Sequence, residues 1–318
     1  MLEIFGALGV FAALVPISYL VEALRRAPPE PTSVPWAPDV PVRWVTVGGV
    51  RLRYVVAGSG PPLVLLHTLR TQLDLFQRII PALARRYQVY ALDLPGHGHS
   101  DIPAADYTAG FFIDTVAGFL RQLGIGQAVL VGESIGATIA LGLAAHRHPG
   151  VGAVVAISTY DYDRGRGARR ASALARLLFS VNDVPVFGGT VMRLRQYPIV
   201  KAVFEGGLHR LQSLPTPLAR EMYRVGNRPG HYQAFMSLVH HWPTWEAVRE
   251  RYGDIGCPVL LLYGDHDWSR PDERAVTARL IAGAEVRTVT NAGHFLSFDA
   301  PAETIEQVVE FVERRSHS

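Results

Sequence analysis

The feature that most constrains the fold of this chain is a regular alternation of short strand-like runs with helical patterns. Most of the strand-like runs are continuous stretches of Val, Leu and Ile, which are typical of buried strands. Strands are predicted at 63–66, 89–92, 128–131, 153–157, 259–263 and 285–289, and helices at 73–86, 109–123, after 134 and at 302–314. This alternation predicts a mostly parallel, doubly wound α/β sheet with helices on both faces. A ligand site is expected at the carboxyl ends of the strands.

A hairpin signal marks the start of the predicted domain. Val42 to Val47 and Val50 to Ala57 are two β-rich runs joined by Gly48-Gly49, a pair of residues that favours a tight turn. Further along the chain, the alternation stops between residues 161 and 250, where helical patterns occur without a convincing buried strand. We therefore predict an α/β core formed by 42–160 and 251–318, with 161–250 inserted as a helical lid.

The predicted lid is basic. It holds 12 Arg and 1 Lys against 3 Asp and 4 Glu, whereas the net charge of the whole chain is +3. Such an excess is typical of a solvated face, which we favour, and the alternative is attraction to anionic lipid headgroups or an anionic substrate. The chain lacks the concentrated Lys/Arg tract that a nucleic-acid surface needs. Nucleic acid is therefore not predicted as a partner.

The amino-terminal segment differs from the rest of the chain. From Ile4 to Val21 it has no charged residue, and this length is enough for a helix to cross a membrane. Glu3 precedes the run and Arg25-Arg26 follow it, which is not the pattern of a cleaved signal. We predict a hydrophobic membrane-anchor helix at 1–26, with the catalytic domain on the cytoplasmic side. The alternative is a soluble cytoplasmic protein whose first helix packs in a groove of the domain or of an oligomer.

A proline-rich segment separates this helix from the domain. Prolines occur at 28, 29, 31, 35, 38 and 41. Because each proline fixes φ and lacks a backbone donor, residues 27–41 are predicted to form a stiff, extended linker.

A serine lies between a predicted strand and a predicted helix. The run Gly132-Glu133-Ser134-Ile135-Gly136 follows the strand that ends at 131 and precedes the helical pattern at 137–145. In this context G-x-S-x-G forms a nucleophile elbow, and the helix amino terminus favours negative charge at the serine. A serine nucleophile also needs a base, a carboxylate that orients the base, and donors for the oxyanion. Ser134 is the predicted nucleophile.

Five motifs, in this order along the chain, resemble those of the α/β-hydrolase superfamily over roughly residues 43–315. They are LVLLH at 63–67, DLPGHGHS at 93–100, GESIG at 132–136, YGDHD at 263–267 and NAGHF at 291–295. The resemblance implies the α/β-hydrolase fold in its serine-nucleophile, esterase- or lipase-like branch. It also implies a triad in the chain order Ser, Asp, His, with Asp267 and His294 at the matching positions.

The identity of the acid has alternatives. Asp265 lies two residues before Asp267, but in the resembling G-x-x-D pattern the acid is the third residue after the glycine, which favours Asp267. Some relatives place the acid after the preceding strand, so Asp161 and Asp163 remain minor alternatives.

The oxyanion hole is predicted from the same resemblance. It implies the backbone N–H of Ile135 and a second N–H from the loop after the third strand, which is that of Leu69. The family has His-Gly at the start of this loop, whereas this chain has His67-Thr68, so the position of the second donor is open. Arg70 is interpreted either as a reader of an anionic group or as the partner of a lid carboxylate.

The predicted reaction is the hydrolysis of a carboxylic ester through an acyl-enzyme on Ser134. Serine at this position argues against the superfamily's dehalogenases and epoxide hydrolases, which use aspartate. C–C bond hydrolysis and cofactor-free perhydrolase or haloperoxidase chemistry use the same triad and stay open, as does a ligand-binding protein with little turnover. The expected partner is a small-molecule ester, with an acyl or lipid ester as a weaker hypothesis. No cofactor is predicted, no metal-ligand spacing is found, and the oligomeric state is left open.

Overall fold

The structure is a computed structural model that describes residues 2–182 and 184–316, with the side chains of 2–11 and 316 outside the description. The strands are β1 (Ser33–Val34), β2 (Ala37–Pro41), β3 (Arg43–Val47), β4 (Val50–Ala57), β5 (Pro62–Leu66), β6 (Gln88–Leu92), β7 (Ala128–Glu133), β8 (Val151–Ile157), β9 (Val259–Gly264) and β10 (Glu285–Val289). The helices are α1 (Leu2–Ala23), α2 (Ile80–Leu83), α3 (Ala109–Gln122), α4 (Ile135–Ala145), α5 (Ala173–Val181), α6 (Phe187–Arg193), α7 (Tyr197–Glu205), α8 (Thr216–Val225), α9 (His231–His240), α10 (Pro243–Ala247), α11 (Pro271–Leu280), α12 (Leu296–Asp299) and α13 (Pro301–Ser316). Short 3₁₀ helices lie at Leu73–Phe76, Asp163–Gly165, Gly167–Arg170, Leu211–Ser213 and Val248–Asp254.

Eight of the strands form one sheet in the order β3-β4-β6-β5-β7-β8-β9-β10. The first two pairs, β3 with β4 and β4 with β6, are antiparallel, and all later neighbours are parallel. The mostly parallel sheet predicted from the sequence is confirmed.

Helices cover both faces of this sheet, as the apolar strands predicted. Every residue of the central strand β7 is buried. Its side chains alternate between the faces: Leu130 packs with α3 and α4, whereas Val129 and Val131 pack with α2 and α13. Full burial of each such aliphatic side chain contributes about 1.5–3 kcal/mol. Two hydrophobic cores therefore fix the sheet from its two sides.

The helix predicted over 73–86 is wrong as a single element. The structure has a 3₁₀ helix at Leu73–Phe76 and the short helix α2 at Ile80–Leu83, with Pro81 in its first turn. Proline lacks the N–H that a continuous helix needs and clashes with the preceding turn, so it begins a helix rather than extending one.

The segment between β8 and β9 carries α5 to α10 and, within its described residues 158–182 and 184–258, no strand. We refer to residues 161–250 as the helical insertion. Because β8 and β9 are parallel, the insertion begins at the carboxyl end of β8, at the sheet edge where the ligand site is predicted, and the chain then crosses to the amino end of β9. This topology places the insertion beside the predicted ligand site.

The proline-rich segment is packed on the domain as well as extended. Its strands β1 and β2 form a small antiparallel hairpin, and Val34 is fully buried. The indole N–H of Trp36 donates a hydrogen bond to Asp74, at 2.8 Å. Residues 33–41 therefore contribute to the folded domain, which a linker prediction did not anticipate.

The amino-terminal residues form α1. Among the residues that the structure describes, no helix is long and apolar enough to cross a membrane. The first half of the predicted anchor, Ile4 to Phe11, lies outside the residues whose side chains are described. The anchor at 1–26 is therefore not supported and stays a prediction.

The second half of α1 contacts the helical insertion. The Nε of Arg193 donates to Ser18 Oγ at 2.9 Å, and the Arg193 guanidinium lies 3.8 Å from the ring centroid of Tyr19. Glu22 forms an ion pair with Arg195 at 3.0 Å. These contacts correspond to the alternative in which the first helix packs in a groove of the domain.

Candidate active site

Four predicted site residues meet at one edge of the sheet. Leu69 follows β5, Ser134 follows β7, Asp267 follows β9 and His294 follows β10. These strands are parallel neighbours except for the interposed β8, so their carboxyl ends lie along the same edge. Residues as far apart in sequence as Leu69 and His294 are thereby brought to one site.

Ser134 lies in a strained turn between β7 and α4. Its φ is 59° and its ψ is −115°, a conformation that is rare for a residue with a side chain. The turn is tight: a Cβ at Gly132 would overlap the carbonyl oxygen of Gly136, and one at Gly136 would overlap that of Leu66. The backbone N–H of Ser134 donates to Ile157 O at 2.9 Å. Glycine at both flanking positions is therefore a steric requirement of the elbow.

His294 lies between Ser134 and Asp267. Its Nε2 is 2.9 Å from Ser134 Oγ, and its Nδ1 is 3.1 Å from Asp267 Oδ2. The imidazole is fully buried and Ser134 is 1% exposed. In this geometry Nδ1–H donates to the carboxylate while Nε2 accepts the serine proton, which is the arrangement that a serine nucleophile needs.

The carboxylate of Asp267 is held by hydrogen bonds. Besides His294, it accepts bonds from the backbone N–H and from the hydroxyl of Ser269, both at 2.7 Å. Burial opposes ionisation, but the neighbouring His294 and these hydrogen bonds hold the pKa of Asp267 below its usual value. The carboxylate is therefore ionised at neutral pH, and it orients the imidazole.

The alternative acids lie elsewhere. Asp265 is largely exposed and accepts a hydrogen bond from the backbone N–H of Ala292, at 3.1 Å. Asp161 is buried against Arg249 and Asp163 contacts Arg170, at 3.3 and 3.1 Å. In the described residues none of the three contacts His294, so the structure brings together Asp267, and not its alternatives, with the predicted base.

The motif analysis missed Trp268, the residue after Asp267. Its indole stacks on the imidazole of His294, with ring centroids 3.7 Å apart and the planes 10° from parallel. The indole N–H donates to Gly206 O in the helical insertion, at 3.1 Å. A sequence signal was present, since this large aromatic residue directly follows the predicted acid.

The two predicted oxyanion donors lie beside Ser134. Ile135 is the first residue of α4. Leu69 lines a cavity next to the serine, together with Thr68 and Ser134 itself. Neither backbone N–H is hydrogen-bonded to another described residue, so both are free to donate to a ligand. Thr68 accepts and donates backbone hydrogen bonds with Thr71, at 2.8 and 3.2 Å. These bonds hold the turn that carries Leu69.

A cavity of about 90 Å³, partly open to solvent, lies between Ser134 and the helical insertion. Its wall is mostly apolar, and the residues that the insertion contributes include Phe179, Met192, Ile199, Val203 and Phe204. The polar residues in the wall include Arg70, Asn182 and Arg195.

A second carboxyl group is buried next to the nucleophile. Glu133 is fully buried, and one of its oxygens accepts a hydrogen bond from the backbone N–H of Ser297 at 3.3 Å. Its other oxygen has no partner in the described structure. Burial raises the pKa of Glu133 to about 7, so this group titrates near neutral pH.

Over residues 2–182 and 184–316, no group of three or more His, Cys, Asp or Glu side chains is arranged to hold a metal ion.

The chain was compared with known proteins. A family profile described as alpha/beta hydrolase fold matches residues 61–301. The chain is 28% identical to the 2-(acetamidomethylene)succinate hydrolase of Mesorhizobium japonicum, with 85% of this chain and 95% of that protein covered. It is 23% identical to the 2-hydroxy-6-oxo-6-(2'-aminophenyl)hexa-2,4-dienoic acid hydrolase of Metapseudomonas resinovorans, over 86% and 91% of the two chains. A solved membrane phospholipase A, described as a bacterial virulence factor, is 26% identical with a TM-score of 0.74, over 100% of this chain and 97% of that one.

Proposed function

We propose that this chain, which belongs to the α/β-hydrolase fold family, is a serine hydrolase that cleaves carboxylic esters through an acyl-enzyme on Ser134. The observation that carries the proposal is the position of His294, 2.9 Å from the serine hydroxyl and 3.1 Å from the Asp267 carboxylate. The relatives with assigned names are hydrolases, which supports the class of reaction.

In the first half of the reaction, Ser134 Oγ attacks the ester carbonyl while its proton passes to His294 Nε2. Asp267 stabilises the imidazolium through Nδ1–H, and the N–H groups of Ile135 and Leu69 stabilise the oxyanion. Collapse of the tetrahedral intermediate breaks the C–O bond of the ester. The alkoxide leaves with the proton from His294, and the acyl group stays on Ser134.

In the second half, water replaces the alcohol. His294, now neutral, takes a proton from water as its oxygen attacks the acyl carbonyl, and it returns that proton to Ser134 Oγ when the acyl–oxygen bond breaks. The carboxylic acid is released. His294, Asp267 and the two oxyanion donors serve both halves of the reaction, because the second half is the reverse of the first with water in place of the alcohol.

The apolar wall of the cavity supports an acyl chain as part of the substrate. Ile199, Val203 and Phe204 offer surface for burial of methylene groups, and each buried CH₂ contributes about 0.8 kcal/mol. The similarity to a membrane phospholipase A over the whole of this chain supports the same class. We therefore propose an acyl or lipid ester as the substrate.

C–C bond hydrolysis is a second candidate, and one relative favours it. The Metapseudomonas resinovorans hydrolase is named for a 6-oxo dienoic acid rather than for an ester. The same triad would serve such a substrate, since its ketone also forms an oxyanion under nucleophilic attack. Incubation with that acid, followed by loss of its absorbance, tests this candidate directly.

A chain-length panel of 4-nitrophenyl esters tests the proposed function, with Ser134→Ala as the matched control. We expect turnover that increases with acyl length through the medium-chain esters, covalent labelling by a fluorophosphonate, and loss of both in Ser134→Ala. Undiminished hydrolysis by Ser134→Ala would contradict the proposed mechanism. Labelling of Ser134 without turnover of any ester would instead indicate a ligand-binding protein.

The membrane anchor is tested separately, with the full chain. If residues 1–26 hold the protein in a membrane, it stays in the pellet after carbonate extraction, and a variant that begins at residue 27 is released. Complete release of the full chain would reject the anchor.

A further inference from the structure

Arg70 is a charged residue in the wall of the cavity, and its side chain takes no part in the proposed reaction. It follows the predicted oxyanion donor Leu69, and adjacent Cα atoms are about 3.8 Å apart. Its φ is 56°, a left-handed conformation that costs a residue with a side chain about 1 kcal/mol or more. Strain of this kind persists where the surrounding structure fixes the residue. The turn thus fixes the backbone of Arg70 beside the reacting carbonyl, while its side chain lies in the cavity wall.

The guanidinium of Arg70 has no anionic partner among the described residues. In the described part of the chain it forms neither a hydrogen bond nor an ion pair, and its contact is with the ring of Phe235, 4.8 Å from the centroid. An aromatic face attracts a cation but does not neutralise it. Burial and the nearby charge of Arg195 lower the pKa of Arg70 to about 9, so it remains charged at neutral pH. The interpretation that Arg70 pairs with a lid carboxylate is therefore wrong for the described residues.

Two further polar side chains of the cavity have polar atoms without a partner in the described structure. Arg195 is 4% exposed and uses Nη1 for Glu22 and for the carbonyl of Met192, while its Nε and Nη2 have no acceptor among the described residues. Asn182 is 3% exposed, and neither its oxygen nor its nitrogen is hydrogen-bonded within the described structure. Buried donors without acceptors are costly, so their presence here points to a ligand that satisfies them.

The charge balance gives the sign of that ligand. Glu22 is the carboxylate that acts on both Arg70 and Arg195, and its Oε2 already pairs with Arg25 and Arg195, at 2.9 and 3.0 Å. No Asp or Glu is among the described residues that line the cavity. Arg25 and Arg195 thus share one carboxylate that Arg70 does not pair with in the described structure, and the positive charges of Arg70 and Arg195 lie in the cavity wall.

We propose that Arg70, Arg195 and Asn182 form an anion-binding subsite, and that the substrate carries a carboxylate or phosphate group close to its scissile ester. This inference rests on the proposed function, because it places the anion relative to the carbonyl that Ser134 attacks. The two guanidinium groups and the Asn182 amide donate hydrogen bonds to the oxygens of this anion. The ester is thereby positioned over Leu69 and Ser134.

Two matched pairs of esters test the subsite and tell the two sources of the anion apart. The acyl-side pair is 4-nitrophenyl hexanoate and mono-4-nitrophenyl adipate, and the alcohol-side pair is 1-lauroylglycerol and 1-lauroylglycerol 3-phosphate. In one of the two pairs, we expect the wild-type kcat/KM to be about 10- to 100-fold higher for the anionic ester than for the neutral one. A charge-assisted hydrogen bond to the anion contributes a binding free energy of this order. In Arg70→Gln this preference falls at least about 10-fold, and Arg70→Lys restores part of it.

The preference is a ratio within one variant, so a loss of folded protein does not affect it. The control is Arg176→Gln, which removes an exposed arginine of the helical insertion and keeps the preference. Equal kcat/KM for both members of both pairs, or a preference that survives Arg70→Gln, would overturn the subsite. If the wild type hydrolyses the neutral esters through Ser134 without any preference, only the subsite fails. If Ser134→Ala hydrolyses all of them, the proposed function fails.

Discussion

The indole of Trp268 lies parallel to the imidazole of His294, with 3.7 Å between the ring centroids. Stacking restricts the rotation of the imidazole about its χ angles, while Asp267 and Ser134 hold its two nitrogens. A π face against the ring also favours the imidazolium that forms during the reaction. We therefore expect Trp268 to position His294 as the proposed base, and its indole N–H is hydrogen-bonded to Gly206 O in the insertion.

Trp268→Leu is expected to lower kcat by about 10-fold or more, because the imidazole loses one of the contacts that fix its orientation. The measurement is kcat for a 4-nitrophenyl ester, together with the rate of labelling by a fluorophosphonate. Trp44→Leu is the control, since Trp44 lies on the edge strand β3 and contacts Arg51 instead. A kcat that is unchanged in Trp268→Leu would contradict the positioning role.

Asp267→Asn is expected to lower kcat by about 10⁴-fold, because an amide favours the wrong tautomer of His294 and cannot stabilise the imidazolium. Asp265→Asn, two residues away, removes a negative charge but keeps a side-chain oxygen that can accept from the Ala292 N–H, so kcat should stay within about 10-fold of the wild type. Steady-state kinetics of the two variants decide between the alternative acids. If Asp265→Asn lowered kcat more than Asp267→Asn does, Asp265 and not Asp267 would be the acid that orients His294.

Glu133 is expected to make the folded chain less stable as the pH rises through neutrality. Its folded pKa of about 7 lies above the unfolded value of 4.5, so the folded state binds the proton more tightly. The free energy of unfolding therefore falls between about pH 4.5 and 7, by up to about 3 kcal/mol from this group. Urea denaturation at pH 5 and pH 8 should show this fall in the wild type and a smaller one in Glu133→Gln. Identical pH dependence of the two proteins would refute it.

Arg53 is expected to be essential for stability. It is buried and pairs with Asp93 and Asp74, at 2.5 and 2.8 Å, so Arg53→Leu leaves two buried carboxylates without their cation and costs about 3–5 kcal/mol. Arg51→Leu, in the same strand, removes a pair with Glu30 that is exposed and costs less than about 1 kcal/mol. Urea denaturation measures both. Similar losses in the two variants would show that burial of the pair does not matter.

The strands of the sheet were predictable because a strand buried on both faces has to be apolar at every position. This holds for β5, for β9 and for β7 up to Gly132, whose runs stand out from the flanking polar residues. The helix predicted at 73–86 was wrong for the opposite reason. Its hydrophobic residues also fit a helix, and only Pro81 and the contacts of Asp74 with Arg53 and Trp36 divide it.

The elbow, by itself, is determined by the sequence. Gly132 and Gly136 are needed because backbone atoms approach where a side chain would stand, and the adjacent strand and helix orient Ser134. The positions of Asp267 and His294 after two later strands followed from the order of motifs. What the sequence could not give is their distance from Ser134, because that depends on how β7, β9 and β10 pair in the sheet.

Only the tertiary structure decided what surrounds these residues. The stacking of Trp268 on His294 joins residues that are 26 positions apart, and the contact of Ser18 with Arg193 joins residues that are 175 positions apart. The lack of an anionic partner for Arg70 among the described residues likewise depends on distant parts of the chain. Local periodicity records which side of an element is buried, and motifs record steric needs within a few residues. Neither records which distant side chain fills the space opposite, because many sequences bury the same area in different packings.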